Sequence, residues 1–207
     1  MRAEVERLRP ELPIDGFCVT PGHHLLVVAR QLAVLTGSPG AGKTTVVGLV
    51  AAQLPGFCVL DMDVLLEPAS VLAGMDLRRS GAARLWPAYN DMWLRLAAAL
   101  SEHRPVLLFC PLLPDEVERA ASRRLFATIE WAVLDCSDEA RRERLLGRAY
   151  DTAAIEAAIA DAEFARALSL FTISTDRVAP EQTAAEVAAW ASRALPPSVR
   201  AQTIPGP

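Results

Sequence analysis

The stretch LAVLTGSPGAGKTTVVGLVAAQL constrains this chain more than any other. It opens on an apolar run, Leu32 to Thr36, that reads as a strand buried on both faces. It closes on an apolar-rich segment stopped by Pro55-Gly56, which reads as a helix. Between them Gly37, Ser38, Pro39, Gly40, Ala41, Gly42, Lys43 and Thr44, followed by Thr45, match the pattern GxxxxGK[ST] in the context it requires. Glycines let successive backbone N–H groups turn inward on a phosphate, and the helix N-terminus adds a field that favours anions. The expected cofactors are ATP and Mg²⁺, with Lys43 on the β and γ phosphates and the Thr44 hydroxyl on the metal. Lys43 is the only lysine of the chain; every other basic residue is arginine. A compact ammonium on a flexible stem suits a tight loop better than a planar guanidinium does.

The rest of the sequence alternates short apolar runs with helical stretches, the pattern of an α/β protein. FCVLDMD, PVLLFC, EWAVLDC and LFTIST follow as four more strands. Long helices are expected over LWPAYNDMWLRLAAALSEH, DTAAIEAAIADAEFARAL and APEQTAAEVAAWASRAL, and shorter ones over PDEVERAASRRLF and SDEARRERLLGRA. VLLEPASVLAGM is ambiguous because Pro68 interrupts it. LLVVAR in the N-terminal segment reads as an extra strand, and adjacent His23 and His24 would point apart on it. Strands apolar on both faces imply a parallel five-stranded sheet with helices on both sides, whose ligands bind beyond the C-terminal strand ends.

Three groups of residues follow those ends. Asp61 and Asp63 close the second strand and, by period-two alternation, lie on the same side. One is expected to help hold Mg²⁺, for which Asp61 is the candidate, and the other to accept the acceptor's hydroxyl proton; residue types alone leave the division of labour open. The third strand ends in Cys110-Pro111 with no acid before Asp115, which shifts weight onto Asp61 and Asp63. Arg141, Arg144 and Arg148 share one helix face, either a solvated face or a clamp on the transferring phosphoryl group through Arg144 and Arg148. Between the second and third strands, residues 64–104 exceed a minimal crossover and carry Arg84, Trp86, Tyr89 and Trp93. The aromatics share one helix face, which serves either as core or, with Arg84 and Asp63, as a substrate-binding pocket.

Composition narrows the alternatives. A net charge of -4 offers no electrostatic case for nucleic acid. No apolar run spans a membrane, and the charged N-terminus lacks a signal core, so a cytoplasmic protein is expected. Cys18, Cys58, Cys110 and Cys136 are widely separated and read as free thiols.

The loop GSPGAGKT, the LDMD after the second strand and LDCSDEARRERLLGR after the fourth make residues 32–192 resemble the small phosphotransferases of the P-loop kinase superfamily. These are the adenylate-kinase-like nucleoside and nucleotide kinases, with shikimate and gluconate kinases and chloramphenicol phosphotransferase. The resemblance implies a three-layer P-loop NTPase fold of sheet order 2-3-1-4-5, an acceptor-binding segment at 64–104 and a short lid at 138–152 bearing Arg144 and Arg148. It departs from adenylate kinase proper, which makes a hydroxyl-bearing small molecule the expected acceptor. The resulting expectation is an ATP- and Mg²⁺-dependent kinase, catalytic through Lys43, Asp61, Asp63, Arg144 and Arg148 and acting as monomer or homodimer. The alternative is a nucleotide-gated binding protein with slow hydrolysis. Residues 1–31 are expected to be an extension, 32–195 the kinase-like domain and 196–207 a disordered tail.

Overall fold

The computed structural model describes residues 30–196. Cys18, His23, His24, nearly all of the strand expected at 25–30 and residues 197–207 lie outside that range. Five strands run β1 (Gln31–Thr36), β2 (Cys58–Asp61), β3 (Val106–Phe109), β4 (Thr128–Asp135) and β5 (Phe171–Ser174). They form one parallel sheet in the order β2-β3-β1-β4-β5, the expected order.

Alternation along the central strands divides the core into two layers. Leu32, Val34, Val106 and Leu108 pack on one face against Tyr89, Trp93, Leu94 and Ala97 of α3 (Trp86–Ser101). Ala33, Leu35, Leu107 and Phe109 pack on the other face against α1 (Lys43–Gln53) and α7 (Pro180–Ala194), which lie side by side. Burial on both faces is why these strands read as unbroken apolar runs. A third, smaller cluster joins Leu145 of α5 (Asp138–Leu146) to Ile155, Ala158 and Ile159 of α6 (Thr152–Ala167).

Two segments differ from their sequence patterns for local reasons. Pro68 lies in the first turn of α2 (Leu66–Ala73), where its missing N–H breaks no intrahelical bond, and Gly74 ends the helix in the left-handed region at φ 67°. The helix expected over PDEVERAASRRLF divides into α4 (Pro114–Glu118) and a 3-10 turn, Ala121–Leu125. Ala120 is extended there, and the Ser122 amide donates to the Asp91 carboxylate at 2.9 Å, so a contact from α3 replaces the intrahelical pattern.

Register brings Asp61, Phe109, Thr36, Asp135 and Ser174 to one edge of the sheet. The residues that follow them build the site.

Candidate functional site

Beyond β1 the chain turns through Gly37–Gly42 into α1. Gly40 and Gly42 sit in the left-handed region at φ 82° and 102°, and Gly42 caps the helix. A side chain on Gly37 would collide with the Leu134 carbonyl oxygen at 2.6 Å. Within the turn the Ala41 amide donates to the Ser38 carbonyl at 3.2 Å, and the Thr45 amide to that of Gly42 at 3.0 Å. The amides of Gly40, Gly42, Lys43 and Thr44 have no acceptor among the described residues. Four unpaired donors at the N-terminus of an 11-residue helix form a cradle for an anion.

The outer side of the loop is held by side chains from the far edge of the sheet. Arg141, 0% exposed, donates to Ser38 Oγ, to the Pro39 carbonyl at 2.6 Å and to Asp135 at 2.5 Å. Arg144 donates to the Gly40 carbonyl at 3.1 Å and to Thr175 Oγ1 and its carbonyl at 2.8 and 2.9 Å. The Thr175 hydroxyl lies 3.1 Å from the Ala41 carbonyl. A peptide plane aims its C=O and the following N–H in opposite directions. Fixing the Pro39 and Ala41 carbonyls outward therefore turns the Gly40 and Gly42 amides inward. Asp135 is shared with Arg166, which reaches it at 2.6 Å and also bonds Asp138 at 2.9 Å; these bonds raise the Arg166 pKa. Of the three arginines expected on one face, Arg141 and Arg144 hold the loop. Arg148 lies exposed with no ion pair among the described residues.

Lys43 is half-buried, and its ammonium donates to the Gly37 carbonyl. Burial lowers its pKa, opposed first by the charge of Asp63 and also by that of Asp61. β2 ends at Asp61, and Asp63 lies in the 3-10 turn that follows, so the expected period-two alternation does not relate the two acids; both nevertheless act on this lysine. Asp61 caps the 3-10 turn Met62–Leu65 by accepting the Asp63 amide at 3.0 Å. Burial raises the Asp61 pKa above the usual carboxylate range. Burial also pushes the Cys110 thiol up to about 12, so this residue at the end of β3 stays neutral.

The aromatic stripe of α3 divides. Trp93, 2% exposed, is core, and Tyr89 is buried beside it, its hydroxyl donating to the Met62 carbonyl between the two acids. Their rings meet edge to face, as do those of Tyr89 and Trp86. Tyr89 therefore ties α3 to the acid-bearing turn. Only Trp86 of the stripe lines a cavity of about 570 Å³, which opens between Ser38 and Pro39 of the loop, α3, α4 and α6. Arg84, Asp61 and Asp63 do not line it; Arg84 is exposed on the 3-10 turn Ser80–Leu85. A second cavity of about 370 Å³ lies beyond β4 and β5 against Asp135 and Arg166 and touches no residue of the phosphate loop.

Thr36, Asn90 and Asp161 of the larger cavity, with Asp135, Arg166 and Thr175 behind the loop, escaped the sequence reading. Arg141 belonged to the arginine face, yet its burial was invisible because its partner Ser38 lies 103 residues away. The one usable signal was position: Thr36, Asp135 and Thr175 end or follow strands.

The donor set fits a triphosphate and Mg²⁺. Inward amides and an ammonium suit phosphates. Among the described residues no three acids or histidines cluster as a metal cage. Mg²⁺ is ordinarily held by one or two protein oxygens plus phosphates and waters, and the exposed Thr44 hydroxyl with Asp61 or Asp63 supplies such oxygens.

A sequence profile of the family described as the AAA domain matches residues 32–172. No curated protein matches the chain. Among solved structures, a sugar kinase from Janibacter sp. superposes with TM-score 0.55 at 22% identity, covering 78% of this chain and 94% of that one. A gluconokinase from Sinorhizobium meliloti gives TM-score 0.54 at 18% identity, covering 79% and 93%. A shikimate kinase from Acinetobacter baumannii, in complex with shikimate, gives 0.55 at 16%, covering 77% and 91%. At these identities the likeness establishes the fold, the α/β fold of P-loop kinases.

Proposed function

Because the chain belongs to the AAA domain family, and its phosphate loop opens beside a cavity large enough for a small metabolite, we propose that it is an ATP- and Mg²⁺-dependent kinase of a hydroxyl-bearing small molecule. One arrangement carries this reading: Lys43 opens α1 at the anion cradle, and the charges of Asp61 and Asp63 act on its ammonium. When bound, Mg-ATP supplies the phosphoryl group and the cation that offsets its charge. The amides of Gly40, Gly42, Lys43 and Thr44 bind the phosphate oxygens, and the Lys43 ammonium leaves the Gly37 carbonyl to join them. The Thr44 hydroxyl, with one carboxylate of the Asp61–Asp63 pair, orients the metal. The other carboxylate accepts the proton from the acceptor hydroxyl and aims its oxygen. Burial raises the Asp61 pKa, which strengthens that carboxylate as a base when ionised. Arg141 and Arg144 act behind the loop, keeping its amides preorganised, which lowers the reorganisation needed during transfer. Arg148, exposed on the lid, is the arginine free to reach the transferring group.

The sugar, gluconate and shikimate kinases with this fold support a phosphotransferase. The rival reading, a nucleotide-gated binder, needed the aromatic stripe as an exposed patch; Tyr89 and Trp93 are instead buried. The test is ADP release from Mg-ATP against nucleosides, sugars, amino alcohols and hydroxy acids, with Lys43→Ala as control. Acceptor-stimulated release that Lys43→Ala abolishes supports the kinase. Tight ATP binding with no stimulation by any acceptor sinks it.

A further inference from the structure

The cavity of about 570 Å³ has a chemical bias that phosphate binding does not explain. Two buried polar atoms among its lining residues lack partners, Thr36 Oγ1 and Asn90 Oδ1, in residues only 1% and 7% exposed. A buried acceptor left unpaired is costly, and a ligand donor of N–H or O–H type would satisfy it. The rim is acidic. Asp161 is exposed and has no partner among the described residues, and Glu116 accepts only the Leu113 amide, at 2.9 Å. Among the described residues Arg119 is the one cation of the lining, and it is already paired with Asp115 at 2.9 Å. Trp86 and Phe164 add aromatic surface, which favours a cation near a ring face.

The acid rim, the paired Arg119 and the aromatic rings disfavour an anionic acceptor. A carboxylate entering here would meet uncompensated Asp161 and Glu116 and find no free guanidinium. An ammonium would meet both acids and two rings, while neighbouring hydroxyls satisfy Thr36 and Asn90. On the kinase reading, we propose that the acceptor is a hydroxylated amine, an amino sugar or amino alcohol, with its ammonium at Asp161. Its hydroxyl oxygen bonds to the γ-phosphorus as the bond from that phosphorus to the β-phosphate oxygen breaks. The hydroxyl proton passes through water to a carboxylate of the Asp61–Asp63 pair, which stands outside the cavity lining, and ADP leaves.

The test uses the full chain and three sugars that share a ring and differ in charge: glucosamine, glucose and glucuronate. Two readouts run in parallel, ADP release from Mg-ATP and calorimetric binding with a non-hydrolysable ATP analogue present. The expected result is a kcat/KM for glucosamine about tenfold or more above glucose, with glucuronate inactive. Asp161→Asn should erase most of that advantage with unchanged melting temperature, and Asp161→Glu should retain it. Glucuronate matching or exceeding glucosamine overturns the proposal, as does a glucosamine preference indifferent to Asp161→Asn. Absence of glucosamine binding while the nucleotide binds overturns it as well. Selective glucosamine binding without ADP release leaves the amine site standing and overturns the kinase reading instead.

Discussion

Lys43, Asp61 and Tyr89 each do work that their neighbours define. Lys43 in the fold has its pKa lowered chiefly by burial, so the unfolded chain binds its proton more tightly. Stability gained from this group therefore rises with pH through the window below the unfolded lysine value of about 10.4. Lys43→Ala removes a half-buried charge, and the expected outcome is an unchanged or raised melting temperature. Affinity for a non-hydrolysable ATP analogue should fall on the order of 10- to 100-fold, the worth of a hydrogen bond to a charged group. Equilibrium titration and thermal melts check both. Asp61 shifts the other way: its folded pKa is raised, so the native state holds the proton more tightly. Its contribution to stability is lost as pH rises from the unfolded value of about 3.9 through the folded one. Asp61→Asn keeps the acceptor for the Asp63 amide and should be as stable as the parent at neutral pH, or more so. Its melting temperature should lose that fall with pH, and its turnover should collapse. The parent's activity should decline as acid protonates Asp61, from a pH above the ordinary carboxylate range. Tyr89→Phe loses the bond to Met62, worth about 1 kcal/mol, and should lower kcat more than it raises the acceptor KM.

At the scale of elements, α5 is the brace of the phosphate loop. Arg141→Met leaves Asp135 with Arg166 alone and strips partners from Ser38 and Pro39. Because Asp135 keeps Arg166, the cost is that of lost charge-assisted hydrogen bonds, about 1.5–3 kcal/mol, and chemical denaturation should read a loss of that order together with weaker nucleotide binding. In α3, Trp93→Ala should cost about 3–5 kcal/mol as a core cavity. Trp86 is half-buried against the rim of that core and edge to face with Tyr89, so Trp86→Ala should cost clearly less than Trp93→Ala and raise the acceptor KM. Equal losses of stability in the two variants would contradict the division of the stripe. The elements themselves were largely legible. Period-two and period-3.6 patterns depend on residues a few positions apart, and β1, α1, α3, α6 and α7 follow them. The break after α4 was not legible, because the Asp91–Ser122 bond that makes it joins residues 31 apart.

At the scale of the molecule, the order β2-β3-β1-β4-β5 sets the phosphate loop between the acids at and just after the end of β2 and the arginines that follow β4. A ligand binding only the folded chain stabilises it by mass action, by ~2.7 kcal/mol at 100 times its Kd. A non-hydrolysable ATP analogue with Mg²⁺ should therefore raise the melting temperature of the parent by more than that of Lys43→Ala at the same concentration. The sequence by itself determined the phosphate loop, the doubly buried central strands and the position of Asp61 at a strand end, because those signals lie within contiguous residues whose backbone geometry is local. Only the tertiary structure decided that Arg141 and Arg144 face the loop while Arg148 faces solvent, and that Trp86 lines the cavity while Trp93 fills the core. The physical reason is that a helix face is a pattern without a partner. Which way it turns is chosen by packing against residues far along the chain, Ser38 for Arg141 and the β1–β3 surface for Trp93.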